Sequence, residues 1–255
     1  MVKTLLMKSV CALSLLCMAF LLSSCGKMAD SPTAPVPASP VIPTFVHSWY
    51  FNSPETLDMY KGTLMVATEY ELDLYNFPNL ASPTQRITDY RGNTFCDIYA
   101  AAFSPLHGNI YGLDYDCETV YQYTFNGAPM NSNSYFYYPE GIASDSAGNY
   151  YVADSDNGRV EEFSPNNKFM HTWYYFNGGS LSYPIGVALD SHNNLYVSDE
   201  DNEEIFEFKA GTDTLLNTWY LPSDDNVYQM AIATNGTIYA ADVGPHRLRK
   251  YVKSK

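Results

Sequence analysis

Gly141-Ile142-Ala143-Ser144-Asp145-Ser146-Ala147-Gly148-Asn149-Tyr150-Tyr151-Val152-Ala153-Asp154-Ser155-Asp156-Asn157-Gly158-Arg159-Val160 contains a short apolar run, a Gly- and Asx-rich turn, and a second apolar run closed by Asp. A second polar turn then leads into a third run. The middle run recurs as Leu64–Thr68, Ile110–Asp114, Tyr150–Asp154, Leu195–Asp199 and Ile238–Asp242, at steps of 40 to 46 residues. None of these segments has a 3.6-residue apolar period, so the unit is built of strands, and periods of this size belong to four-stranded propeller blades. Each copy has a short apolar strand before the aligned one: Leu57–Met59, Ile98–Phe103, Gly141–Ala143, Gly186–Ala188 and Met230–Ala233. Each also has an alternating strand after it: Leu72–Asn76, Val120–Phe125, Val160–Phe163, Ile205–Phe208 and Leu248–Val252. A fourth, aromatic strand is expected at Arg86–Tyr90, Tyr135–Tyr138, Met170–Phe176 and Leu216–Leu221.

The fifth copy has no fourth strand of its own. Val46-His47-Ser48-Trp49-Tyr50 matches Met170-His171-Thr172-Trp173-Tyr174, so Phe45–Phe51 is expected to pair beside Leu248–Val252 and close the ring. Closure removes the open edges of a linear array. The expected fold is an all-β, five-bladed propeller, with six blades as the alternative if residues 77–97 hide a degenerate copy.

Tyr138-Pro139-Glu140-Gly141-Ile142-Ala143 through Val160, and Tyr183-Pro184-Ile185-Gly186-Val187-Ala188 through Ile205, resemble NHL repeats. The resemblance implies an NHL-type β-propeller, a class that includes bacterial lyases, lactonases and many binding proteins. It selects none of these functions.

Composition narrows the classes. Apolar residues make up 46% of the 255-residue chain and charged residues 16%, which excludes a disordered polyelectrolyte and a coiled coil. Aromatics reach 15%, with 23 tyrosines, and bulky rings suit strands. The net charge of -14 repels phosphate backbones, so nucleic acid is not an expected partner.

Ahead of the repeats, Lys3 and Lys8 precede the apolar run Val10–Leu22, which is too short to span a bilayer. Leu22-Ser23-Ser24-Cys25 then resembles a bacterial lipobox. The resemblance implies cleavage after residue 24, lipidation of Cys25, and anchoring of an exported protein in the cell envelope by two acyl chains. Gly26 in place of Asp favours the outer membrane if the cell is Gram-negative. Pro32, Pro35, Pro37, Pro40 and Pro43 make residues 25–43 an extended tether, and 44–255 the propeller.

In a propeller, the turns between second and third strands share a face with the connections between blades. That face is expected to be acidic and rich in Asn and Tyr. Tyr135, Tyr137, Tyr138, Glu140, Tyr183 and Tyr228 are its candidate ligand contacts, for a protein, peptide, glycan or cation. Asp114, Asp154, Asp199 and Asp242 end their strands there. They fit either a scaffold that bonds turn amides or oxygen ligands for a cation, for which Ca²⁺ is the hard-ion choice. No cofactor is otherwise expected, and no catalytic residue is assigned. Lyases of the NHL type, as the resemblance implies, use a His-rich metal centre. Here His47 and His171 fall in outer strands and His107 and His192 in turns of the opposite face, leaving only His246. A metal-dependent lyase or lactonase is therefore the alternative to a binding module. Trp49, Trp173 and Trp219 share an outer-strand position that favours packing between blades. Cys96 and Cys117 flank the first hairpin of the second copy. If Ser104 faces Asn109, the two cysteines face each other, and export places them where a disulfide forms.

Overall fold

The computed structural model describes residues 54–76, 82–222, 227–242 and 247–252. The expected signal segment, Cys25, the tether, the closing strand Phe45–Phe51 and His246 lie outside the described residues. Five antiparallel sheets are arranged as blades around an axis. Blade 1 is β1 (Pro54–Tyr60), β2 (Thr63–Thr68), β3 (Glu71–Asn76) and β4 (Gln85–Ile87). A small hairpin of β5 (Asp89–Tyr90) and β6 (Asn93–Thr94) leads to blade 2. Blade 2 is β7 (Ile98–Phe103), β8 (Ile110–Asp114), β9 (Thr119–Tyr123) and β10 (Pro129–Asn133), and blade 3 is β11 (Pro139–Ser144), β12 (Tyr150–Asp154), β13 (Arg159–Phe163) and β14 (Phe169–Trp173). A second hairpin, β15 (Tyr175–Phe176) and β16 (Gly179–Ser180), precedes blade 4: β17 (Pro184–Leu189), β18 (Leu195–Asp199), β19 (Glu204–Phe208) and β20 (Leu215–Tyr220). Blade 5 has three described strands, β21 (Val227–Ile232), β22 (Ile238–Asp242) and β23 (Arg247–Tyr251).

The repeat arithmetic therefore holds for five blades, and two of the expected fourth strands are corrected. In blade 2 the strand is Pro129–Asn133, not Tyr135–Tyr138. Thr124 and Ala128 pair across a turn in which Gly127 takes φ +70°, so the chain reverses directly after β9 and the polar segment becomes the outer strand. In blade 1 it is Gln85–Ile87, and residues 89–94 turn back on themselves as β5 and β6.

The core lies between blades. Second strands β8, β12 and β18 are buried on both faces. Leu72, Leu74 and Ile87 pack on Ile98, Phe103 and Tyr123 between blades 1 and 2. Leu113 and Val120 meet Ile142, Tyr150 and Phe163 between blades 2 and 3. Trp173, 1% exposed, seals the joint of blades 3 and 4 and donates its indole N–H to the Thr212 carbonyl at 2.8 Å. Trp219 fills the equivalent place in the following blade and donates to the Val252 carbonyl at 3.2 Å. Both rings are packing elements, as their outer-strand position implies; Trp49 lies outside the described residues. Blade 5 reaches blade 1 through Gln229, whose Nε2 donates to Thr56 Oγ1 at 2.5 Å.

Candidate functional site

Three of the four strand-ending aspartates are resolved in role, and all three are fully buried. Asp114 accepts the amides of Cys96, Asp97 and Cys117 at 2.9–3.0 Å. Asp154 accepts the Tyr137 amide at 2.6 Å, Asn157 Nδ2 at 2.9 Å and Arg159 Nε at 2.7 Å. Asp199 accepts the amides of Ser182, Tyr183 and Asn202 at 2.8–3.1 Å. Each carboxylate thus ties its own second-to-third turn to the incoming connection from the previous blade. The short Asx side chain is the right length for this, and the bonds offset the cost of burying it. The geometry fits the scaffold alternative for these residues. The Asp242 side chain lies outside the described residues. Among the described residues, one group of three metal-ligating side chains comes together, Cys96, Asp114 and Cys117. Its two sulfurs are joined as a disulfide, with Cα atoms 5.6 Å apart.

The same clamps deliver each chain to the axis with an irregularity. In all five blades the ladder between first and second strands shifts register after its first pair: between Pro54 and Thr56, Ile98 and Ala100, Pro139 and Gly141, Pro184 and Gly186, and Val227 and Gln229. The residue skipped is Glu55, Tyr99, Glu140, Ile185 or Tyr228. A bulge gives one extra residue to the inner strand and re-aims its side chain. Here five bulges at one end of the ring give equivalent positions around the axis, filled by two carboxylates, two phenols and one isoleucine.

These side chains sense one another. Burial raises the Tyr99 hydroxyl above the usual phenol range, and Glu140, Tyr228 and Glu55 add to the rise. The Tyr99 and Tyr228 rings meet edge-on at 6.3 Å, although their blades are not neighbours in sequence. Tyr183 donates its hydroxyl to Glu140 Oε1 at 2.9 Å, and burial followed by Glu140 raises its pKa as well. Tyr115 is pushed up to about 12, first by burial and then by Glu140 and Asp156. All three phenols therefore stay protonated at neutral pH, neutral rings with donor hydroxyls beside carboxylates.

A file of rings runs outward from this group. Tyr99 and Tyr115 are 5.3 Å apart, Tyr115 and Tyr138 5.1 Å, and Tyr138 and Tyr137 4.9 Å. Tyr138 holds φ +45°, an uncommon backbone for a bulky residue, immediately before Pro139 and the bulge. Of the six expected ligand contacts, the structure brings Glu140, Tyr183, Tyr228, Tyr138 and Tyr137 into one continuous cluster. Tyr135 stands apart at 80% exposure. Sequence reasoning missed Glu55, Tyr99 and Tyr115. The first two hold the position of Glu140 in their own repeats, one residue into the inner strand, so strict alignment of all five strand starts carries that signal. Among the described histidines, His171 bonds Asp213 at 2.8 Å on an outer strand, and His192 sits in a turn at the other end of the ring.

The NHL repeat family model matches residues 136–163 and 181–208, which are blades 3 and 4. No curated protein sequence matches the chain. Among solved structures, the WD40 β-propeller domain of Doa1 superposes with TM-score 0.64 at 13% identity, over 78% of this chain and 64% of that one. Virginiamycin B lyase from Staphylococcus aureus gives TM-score 0.60 at 10% identity, over 78% and 69%. A streptogramin B lyase gives 0.59 at 12%, over 78% and 68%. The chain thus spans a little under two thirds of the Doa1 domain, and at such identities the likeness speaks for the fold alone. With two matched repeats and five like-built blades, the chain is an NHL-like β-propeller.

Proposed function

We propose that the protein is a lipid-anchored binding module of the bacterial cell envelope. Cys25 carries the lipid, residues 25–43 hold the propeller off the membrane, and the ligand docks on the end of the ring where the inner strands begin. The observation that carries the binding role is the convergence of Glu55, Tyr99, Glu140 and Tyr228 from four blades, with Tyr183 bonded to Glu140 and the Tyr115–Tyr138–Tyr137 file beside it. Carboxylate acceptors and half-buried phenols fix a ligand's orientation while the rings supply contact area.

Titration calorimetry of the mature chain against peptide, glycan and Ca²⁺ panels tests this reading. One class is expected to bind, and Tyr228→Ala with Glu140→Gln is expected to weaken it about tenfold or more. Turnover of lactones or esters that the same substitutions abolish would replace binding by catalysis. For the anchor, labelled palmitate should enter the wild-type chain in cells and not Cys25→Ser.

A metal-dependent lyase or lactonase is the second reading. It is favoured by the two carboxylates on equivalent axial bulges and by the fold shared with virginiamycin B lyase. It requires a stoichiometric ion: elemental analysis that finds none after Ca²⁺ or Zn²⁺ loading removes it.

A further inference from the structure

Large apolar side chains that stay well exposed are sorted by end of the ring. Tyr70, Tyr135, Tyr137, Tyr174, Tyr175 and Tyr220 are 40–80% exposed. Tyr70 lies in a second-to-third turn, Tyr135, Tyr137, Tyr174 and Tyr175 in connections between blades, and Tyr220 at the last position of outer strand β20, all at the end that carries the axial cluster. Leu106, Phe169, Met170, Leu216 and Val252 are the other exposed large side chains among the described residues. All of them lie at the opposite end, in or next to the remaining turns.

Charge is sorted as well. The described lysines, Lys61, Lys168, Lys209 and Lys250, stand in or beside turns of the opposite end. Glu69, Asp116, Glu118, Asp156, Asp201 and Glu203 stand at the tyrosine end. Arginines near that end are engaged where their side chains are described: Arg86 is held by Asp73 at 2.8 Å and Glu71 at 3.2 Å, while the side chain of Arg247, which starts β23 there, lies outside the described residues. Arg159 is held by Asp154 at 2.7 Å and Glu161 at 3.4 Å, and Arg91 lies over the Tyr90 ring and donates to the Met130 carbonyl at 2.7 Å. Acids at the opposite end are occupied by their own turns or a neighbour: Asp145 and Asp190 accept turn amides, and Asp213 bonds His171.

Exposed tyrosine is an anchor residue in recognition: large, stiff, and able to bond at its tip. Its faces also attract ammonium and guanidinium groups. The six rings are spread over turns, connections and a strand end of four blades, so an occupant that uses them has to extend across the face. A lone ion at the axis would leave them untouched. We infer that the tyrosine end takes a basic polypeptide segment, with one Lys or Arg side chain directed at the Glu55–Glu140 group and its neighbours laid over the tyrosine rim. This rests on the binding role proposed above and specifies the partner. The negative field of the face, from a chain of net charge -14, steers such a segment in from a distance.

The test uses the mature chain in detergent and fluorescein-labelled peptides of about twelve residues: one bearing Lys and Arg, one with Glu at the same positions, and a neutral oligosaccharide as a third probe. Fluorescence anisotropy is expected to show binding of the basic peptide alone, weakened about tenfold between roughly 50 and 300 mM salt. Combined Tyr137→Ala, Tyr175→Ala and Tyr220→Ala leaves the net charge unchanged and is expected to cost a further tenfold or so. Combined Leu106→Ala, Phe169→Ala and Leu216→Ala at the other end is expected to change affinity less than about twofold. Equal binding of basic and acidic peptides, or a tyrosine triple variant with unaltered affinity, overturns the inference. If the oligosaccharide alone binds and the tyrosine variant abolishes it, the binding role stands and the basic partner falls. If no probe binds, and the calorimetric panels are also silent, both fall.

Discussion

At the scale of single residues, the buried carboxylates decide how the molecule responds to substitution and to pH. Asp199 satisfies three backbone amides inside the joint of blades 3 and 4. Asp199→Ala leaves those donors without their acceptor and is expected to cost about 2–4 kcal/mol, read from urea unfolding. A cost below about 0.5 kcal/mol would mean that the clamp is incidental. Burial also raises the Asp199 carboxyl against those amides, and Asp58 and Glu161 shift in the same direction. Burial lifts Asp58 to about 6 against the opposing amides of Phe103 and Met59, and lifts Glu161 to about 6 against the opposing charge of Arg159. A carboxyl whose folded pKa lies above its unfolded value holds its proton more tightly when folded. Stability is therefore expected to fall as pH rises from about 4 through about 6, and to level off above that. Urea midpoints should be higher at pH 5 than at pH 7.5. Glu161→Gln should narrow the gap by about 1 kcal/mol. A midpoint that climbs over the same interval contradicts the shifts.

At the scale of elements, the inner strands are set by how closely neighbouring blades approach. A Cβ on Gly186 would lie 2.6 Å from Ser198 Oγ and from the Tyr228 carbonyl, and 3.0 Å from the Val227 carbonyl of the next blade. A Cβ on Gly141 would meet Ile185 O at 2.7 Å. Backbone cannot yield as a flexible side chain does, so Gly186→Ala is expected to destabilise by about 2 kcal/mol or more. Gly62→Ala has open space but φ +81°, and is expected to cost only about 1 kcal/mol through its backbone. Equal urea midpoints for the two variants would refute the close-approach reading. The repeat unit, the blade number, the second and third strands and the interblade tryptophans were all legible in the sequence, because burial on both faces leaves dense apolar runs at a fixed period. The outer strands of blades 3 and 4 were legible to within a few residues, and those of blades 1 and 2 were not. Pro129–Asn133 carries little apolar patterning, since little of it is buried, and the aromatic run after it serves the face instead. The axial group was half legible for a related reason. A bulge adds a residue without changing composition, so Glu140 drew attention beside the innermost strand of its blade, while Tyr99 read as an ordinary residue of Ile98–Phe103 and Glu55 fell ahead of the expected strand Leu57–Met59. The bulge also enters the cysteine reading. Ala100↔Leu113 through Phe103↔Ile110 keep the register that places Cys96 against Cys117, but Ile98 pairs with Asp114, one step off. The sulfurs meet beyond that slip, where the chain has left the ladder. Reduction is expected to lower stability by about 3 kcal/mol in the loop-entropy picture, and Cys96→Ser with Cys117→Ser should abolish the effect of reductant on the melting curve.

At the scale of the whole molecule, stability depends on the ring being continuous. Each joint buries one blade's second and third strands against the next blade's inner strands, and the Gln229–Thr56 hydrogen bond places blade 5 against blade 1. Blade 5 is described with three strands where the others have four, and its last, β23, ends at Tyr251. The sequence offers one piece of matching pattern, Val46–Tyr50, directly ahead of β1. Its pairing with β23 lies outside the described residues and is an expectation. If it holds, the first and last segments of the propeller share a blade, and a single sheet locks the ring in which every other blade is built from consecutive sequence. Its loss would expose β23 as an edge and leave blade 5 short of an outer strand. Two chains separate the cases. One begins at residue 44 and the other at residue 54, both without lipid. The longer chain is expected to unfold in one cooperative urea transition. The shorter one should unfold at a clearly lower midpoint, with amide exchange of β21–β23 faster than that of β11–β13. Trp49→Ala in the longer chain should move in the same direction by about 3 kcal/mol, the usual cost of truncating a buried aromatic. Matching midpoints for the two chains would show that the ring closes without the segment, and the proline-rich tether would then reach directly to Pro54.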